Sequence, residues 1–430
     1  MNKHNKSSIT WKIVITGSIV IALLIPAYLI QGVIEERATS HSDAISEMNS
    51  RWGGEAQIVG PVMVVPFPSG SSQETLTLLP EDLQIESEAT AETRSRGIFD
   101  TAVYRAVVTI QGRFDAHAAG VSLPALLNWK EARLLLGLTD LQGIEKADLV
   151  MGGHTFDLRP GALPLAEAGL QALTPGMSRA PFVLKLQLRG STALRFAMAG
   201  KKTDVSIASN WINPSFDGGS LPAERSIGAQ GFKASWSVST LLSRGFPQSW
   251  TSLNENSAVY QNRLHASASG VAFYLPVDIY QKATRSVKYA GLFLSLIFLA
   301  FFLFEMLIGL RIHPVQYGLV GAAKLIFYLL LLSLSEQIGF GFAYLTAALA
   351  STAQISSYSY ALLNSRKRAS LMATIMLGIY GYLYSLLQME NYALLAGAVG
   401  LFVIVGAVMF LTRNVSWYQI ESDHARPVTS

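Results

Sequence analysis

The chain has 430 residues, 50% of them hydrophobic and only 14% charged, a balance that disfavours an ordinary soluble enzyme and points to the membrane. Its formal charge of +4 is unevenly placed: residues 38–286 carry 21 Lys plus Arg against 22 Asp plus Glu, and the rest carry 12 against 7, so the basic excess is a topology signal and excludes a nucleic-acid footprint. The absence of cysteine excludes disulfides and thiolate chemistry, and no two of the seven histidines lie close enough in sequence to form a local metal-ligand pair.

Residues 1–12 form a polar tail with Lys3, Lys6 and Lys12, and residues 13–34 are almost continuously apolar. This stretch is longer than the roughly 7–15 apolar residues of a signal peptide, and Glu35-Glu36-Arg37 offers no small-residue cleavage site. It is therefore predicted to be a first transmembrane helix, kinked at Pro26.

Residues 38–286 change to the period of two that marks half-buried strands. Tyr104, Ala106, Val108 and Ile110 share one parity, as do Leu184, Leu186 and Leu188, and Phe232, Ala234, Trp236 and Val238. Gly190-Ser191 followed by Leu194, Phe196 and Met198 predicts a hairpin. Further strands are expected near residues 58–66, 74–79, 132–138, 154–158 and 270–275. The segment reads as a large β-rich domain, built as one lobe or as two packed lobes. Asn213-Pro214-Ser215-Phe216 with Gly218-Gly219 reads as a turn-rich segment between strands, either a ligand or partner loop or, the commoner case, a connection that needs particular backbone angles.

Five apolar segments follow, at 289–310, 317–334, 338–363, 371–387 and 392–411. Each is long enough, at roughly 1.5 Å per residue, to cross a hydrocarbon core of about 30 Å. The expected fold is an α-helical integral membrane protein of six transmembrane helices, with the β-rich domain inserted between the first helix and a five-helix block at 289–412. With a cytoplasmic N-terminus, Lys3, Lys6, Lys12, Arg311, Arg366, Lys367, Arg368, Arg413 and Arg426 all fall inside, while the outer turns around Glu336 and Glu390 hold no Lys or Arg. That bias places both termini, including the 413–430 tail, in the cytoplasm and the β-rich domain in the periplasm, joined at both ends to membrane helices.

Two charges stand inside the apolar segments. Glu305 precedes Arg311 by six residues and Lys324 follows Tyr317 by seven, so both are expected roughly 9–10 Å from the same boundary, close enough to pair. Such residues serve either a proton or ion relay or a structural ion pair, and the structural role is the commoner one. Glu336 reads as an interfacial residue. Ser351, Thr352, Gln354, Ser356, Ser357, Tyr358, Ser359 and Tyr360 make one helix half polar, which suits interhelical hydrogen bonding better than an aqueous path. Tyr380, Tyr382 and Tyr384 read as an interfacial aromatic belt. Ala393, Ala396, Gly397 and Gly400 make a small-residue seam for packing within the chain or between copies, so a homo-oligomer is among the expectations. No P-loop, dinucleotide fingerprint, nucleophile elbow or HExxH motif occurs.

The residues also carry a resemblance. Leu24-Ile25-Pro26, Glu36-Arg37, Gly60-Pro61, Arg94-Ser95-Arg96-Gly97-Ile98, Trp211 with Pro214-Ser215-Phe216, and Gly231-Phe232-Lys233-Ala234-Ser235-Trp236 resemble the CreD family of bacterial inner-membrane proteins, also called cell envelope integrity proteins. So do Phe301-Phe302-Leu303-Phe304-Glu305, Arg311-Ile312-His313-Pro314-Val315-Gln316-Tyr317, Ser335-Glu336 and Phe410-Leu411-Thr412-Arg413-Asn414, whereas Lys324 is outside the pattern. The resemblance covers essentially the whole chain. It implies a link to a two-component regulatory system and to envelope stress, including responses to cell-wall antibiotics, and it carries no catalytic residues. The expected function is non-enzymatic support of envelope integrity. The expected partners are the lipid bilayer and an unidentified envelope protein, lipid or wall component, with no cofactor. The alternative is a transporter or channel with a path near Glu305 and Lys324.

Overall fold

A computed structural model describes residues 9–118, 123–124, 126–239, 246–273, 275, 279–308, 312–363, 365–389 and 392–413. Lys3, Lys6, Arg311, Glu390, Asn414 and Arg426, which entered the charge count, the turns or the resemblance, lie outside the described residues, as does the tail beyond Arg413. The chain divides into two compact units, residues 1–41 with 277–430, and residues 42–276.

The first helix, α1, is Ile9–Trp52. It runs well past the expected end at 34, so the β-rich region begins later than residue 38. Side-chain pairs from the end of the apolar stretch onward support the extension: Gln31 donates to Glu35 and Arg51 pairs with Glu47, both at the i, i+4 spacing that supports helices. Gly53 then ends it with a φ of +135°, a conformation that suits glycine.

The β-rich unit contains two sheets. One has nine strands in the order β13-β17-β11-β1-β5-β9-β8, with β2 on β1 and β16 on β2, and the other has eight in the order β14-β15-β12-β3-β4-β10-β6-β7. In the first sheet β1 is Ala56–Ser69, β2 is Ser72–Leu78, β5 is Arg133–Leu138, β8 is Arg159–Pro160, β9 is Gly169–Leu173, β11 is Ala193–Phe196, β13 is Pro214–Gly218, β16 is Ser249–Thr251 and β17 is Ser269–Phe273. In the second, β3 is Asp82–Arg96, β4 is Phe99–Asp115, β6 is Ile144–Met151, β7 is His154–Phe156, β10 is Arg179–Ser191, β12 is Lys202–Ser209, β14 is Glu224–Gly228 and β15 is Gly231–Ser239. The expected strands near 58–66, 74–79, 132–138, 154–158 and 270–275 are thus β1, β2, β5, β7 and β17. Inward residues of both sheets share one hydrophobic core, among them Ile58, Val62 and Leu134 from the first and Ile110, Phe182, Leu184 and Trp236 from the second. Alternation along β4, β10 and β15 delivers these side chains to one face.

Two local expectations are corrected. The stretch after Gly190-Ser191 is not a hairpin, because β10 belongs to the eight-stranded sheet while β11 pairs in parallel with β1 in the other. Thr192, at φ 59°, turns the chain from one sheet to the other, and its amide donates to Ala102 O at 3.1 Å. Tyr104 fixes the crossing by donating its hydroxyl to Ala193 O at 2.7 Å. Gly190 makes room, since a Cβ there would lie 2.4 Å from that hydroxyl oxygen. The second correction concerns Pro214-Ser215-Phe216, which is strand β13 paired with β17 rather than a turn. Phe216 packs edge-on against Phe232 and Trp236 at 5.6 and 5.9 Å. Gly218 does need its backbone angle, with φ +104° and Ala268 O 2.2 Å from any Cβ.

In the helical unit, α1 is joined by α3 (Ile279–Lys288), α4 (Ala290–Ile308), α5 (Pro314–Ile338), α6 (Phe340–Leu363), α7 (Arg366–Gln388) and α8 (Ala393–Thr412). Helix α2 (Ser257–Ala266) belongs to the β-rich unit. Among the described residues, α1, α5, α7 and α8 are long and apolar enough to cross a membrane, and α3 with α4, bent by 49°, supplies a fifth span if the pair is one. The bend has a sequence cause: α3 buries Ala283, Ser286 and Val287 while carrying Gln281, Lys282, Arg285 and Lys288, the composition of an amphipathic helix at an interface. The remaining expected span, 338–363, exists as the 24-residue α6, whose hydroxyl-rich second half lowers its apolarity.

Candidate functional site: buried charges among the apolar helices

Glu305 lies one turn from the end of α4 and is 7% exposed. Its carboxylate takes the Lys12 ammonium from α1, the Ile312 amide at 3.2 Å and the Tyr317 hydroxyl of α5 at 3.1 Å. One carboxylate thus ties three segments together. α5 starts here with Pro314 in its first turn and His313 as cap, in a reciprocal capping box with Gln316, which holds Tyr317 in reach of Glu305.

The structure does not bring Glu305 and Lys324 together. Glu305 is level with Tyr317, and Lys324 lies seven residues further along α5, about 10 Å deeper. Counting from the two helix ends treated them as equal in depth, but the loop and first turn of α5 already occupy the carboxylate. Lys12 is the partner that sequence reasoning missed. Its position just before the first apolar stretch, on the side assigned to Arg311, was the available signal.

Lys324 is fully buried. Its Nζ lies 3.7 Å from the ring centre of Tyr380, 4.3 Å from Phe327, 5.3 Å from Tyr328 and 5.9 Å from Phe293. None of the described residues offers that nitrogen a hydrogen-bond acceptor, and the Tyr328 hydroxyl and the Thr352 and Ser356 side-chain oxygens are likewise buried and unpaired. A close desolvated ring stabilises an ammonium by about 2 kcal/mol, less than the several kcal/mol of its desolvation. Lys324→Met is therefore expected to stabilise the purified protein by about 1–3 kcal/mol, read as a raised midpoint of thermal unfolding in detergent. A lowered midpoint would show that the amine has a favourable partner.

Glu336, half-buried at the far end of α5, accepts the Tyr280 hydroxyl of α3 at 3.0 Å, and Tyr280 in turn packs its ring 5.3 Å from His41 of α1. Of the polar half of α6, Ser351 shares a 2.7 Å hydrogen bond with Tyr380 on α7, while Ser357 and Ser359 bond back to their own helix. Tyr380 is not part of an interfacial belt. It is 1% exposed, on the face toward α6, and Tyr344 donates to its carbonyl at 2.7 Å. Tyr382 points to α8, donating to Ala396 O at 2.9 Å, and Gly400 is glycine because a Cβ there would meet the Tyr382 hydroxyl at 2.0 Å. Part of the small-residue seam is thus filled within the chain. Among the described residues, no group of three His, Asp or Glu side chains could hold a metal.

Long apolar helices around a clamped internal carboxylate, and a two-sheet unit inserted after the first of them, define an integral membrane protein with one large β-rich insertion. The family model for "Inner membrane protein CreD" matches residues 8–418. The chain is 31% identical over 437 residues to Inner membrane protein CreD of Escherichia coli (strain K12), an alignment covering 96% of this chain and 94% of that relative. The chain belongs to the CreD family of inner membrane proteins.

Proposed function

We propose that this protein supports cell-envelope integrity and the envelope-stress response without catalysis, through a β-rich unit that stands in the periplasm and contacts an envelope protein, lipid or wall component. The observation that carries this reading is the placement of residues 42–276. They have their own two-sheet core, the chain enters them from α1, and it continues after them into the amphipathic α3 that leads to the apolar α4. The charge bias supports a periplasmic position for the insertion and cytoplasmic positions for both termini. Six crossings then require α6 to span as well, which its exposed Phe342, Leu345 and Leu349 support as a lipid-facing row. Self-association would use the exposed face of α8, with Leu394 and Phe402, since Tyr382 already covers Gly400.

The test is complementation of a deletion strain challenged with a cell-wall antibiotic. The full-length protein should restore resistance, and the helical block expressed at matched level without residues 42–276 should not. Full restoration by the helices alone would overturn the reading. The buried Lys324 amine and the hydroxyl of the adjacent Tyr328, both without a partner among the described residues, favour a second reading, a proton or ion path through the helices. In proteoliposomes that path would give a flux lost in Lys324→Met; an equal dye response with and without protein excludes it.

A further inference from the structure

The end of α1 and the β3–β4 hairpin form an open cavity of about 340 Å³ whose lining includes Arg51, Trp52, Arg94 and Arg96. We propose that this cavity is a binding site for a phosphate group.

Its construction begins with Gly53. A Cβ there would stand 2.7 Å from Arg189 O, and Ser191 donates to Gly53 O at 2.8 Å, so Trp52 is pinned beside β10. Arg94, on β3, stacks over the indole at 3.7 Å, with Arg105 and Arg189 5.6 and 5.4 Å from the same ring. Stacking holds a guanidinium flat and leaves its N–H edge free to meet an oxyanion.

The carboxylates that pair with these arginines do not line the cavity. Glu92 accepts from Arg94 Nε at 2.9 Å, and Glu47 accepts from Arg51 and Arg96 at 2.6 and 2.8 Å. Arg96 first, and Arg51 after it, hold the Glu47 carboxyl below the usual carboxylate range. Each guanidinium has five N–H donors, so one or two bonds to glutamate leave others for a ligand. Among the described residues the buried indole N–H of Trp52 has no acceptor, nor has Nε of Arg189, whose guanidinium stands against the same ring. Glu47 and Glu92 offset two of the three guanidinium charges, and the carboxyl end of α1 adds only about half a negative charge, so the cavity stays positive. A tetrahedral oxyanion matches such forks, and phosphate is the one that arginine clusters bind bidentately.

The test is calorimetric titration of the full-length protein in zwitterionic detergent with pyrophosphate and, separately, with dihexanoyl phosphatidylglycerol below its micelle concentration. Saturable binding of either is expected, weakened about 10- to 100-fold in the double variant Arg94→Gln, Arg96→Gln. Tighter binding of the short-chain lipid would assign the phosphate to a lipid headgroup, and tighter pyrophosphate binding to a soluble source. Glu47→Gln removes the internal competitor and should tighten binding, a gain that a purely structural arginine cluster would not give. Circular dichroism would confirm that the variants fold. The proposal fails if neither probe saturates with the wild type, or if the double variant binds as well.

Discussion

Replacing Glu305 by alanine is expected to destabilise the helical unit by about 3–5 kcal/mol, the larger of the effects anticipated among the apolar helices. The change removes the acceptor for the Lys12 ammonium, the Ile312 amide and the Tyr317 hydroxyl at once, and Tyr317 is 4% exposed, so its hydroxyl would be left without a partner. A double-mutant cycle separates the contributions. Lys12→Met and Glu305→Gln should be coupled, with the double change costing less than the sum of the singles. Glu305→Gln and Lys324→Met should be additive, because Lys324 faces aromatic rings rather than the carboxylate. Unfolding midpoints of the purified variants in detergent give both values, and strong coupling between positions 305 and 324 would contradict the geometry.

The second large effect is expected at Trp236. It is 1% exposed in the shared core, its indole N–H donates to Ser220 O at 3.2 Å, and Phe216 packs edge-on against it. Trp236→Ala should cost about 3–5 kcal/mol through the cavity left between the sheets, while Trp236→Phe should cost about 1–2 kcal/mol, chiefly for the lost hydrogen bond. Loss of the folded β-sheet signal by circular dichroism on heating measures both. A change under about 1 kcal/mol for alanine would mean that the site collapses around the gap.

Trp236 was legible because β15 alternates Phe232, Ala234, Trp236 and Val238 with Lys233, Ser235, Ser237 and Ser239, a pattern compatible with only one buried face. The same period announced β4 and β10. The sheet to which a strand belongs was not legible. Gly190-Ser191 has the composition of a tight turn, and only the positive φ of Thr192 and the Tyr104 hydroxyl reveal a crossing between sheets. Among the helices, apolar length located the elements, but depth along neighbouring axes decided the partners, and one or two turns separated Glu305–Lys12 from the expected Glu305–Lys324. The tyrosines at 380 and 384 are four residues apart and face α6, whereas Tyr382 between them turns to α8, so a belt inferred from spacing alone merged two different interfaces. The polar continuation of α1 to Trp52 was hidden for a related reason: its support comes from i, i+4 pairs rather than from any apolar stripe.

The most direct measurement on the proposed placement of the β-rich unit outside the cytoplasmic membrane uses the absence of native cysteine. Single cysteines at exposed Ser226 in β14 (Glu224–Gly228) and at Lys367 in α7 can be treated in intact cells with a membrane-impermeant maleimide. Labelling at position 226 and protection at 367 until the cells are lysed is the expected result. Labelling at 367 with protection at 226 would contradict the account.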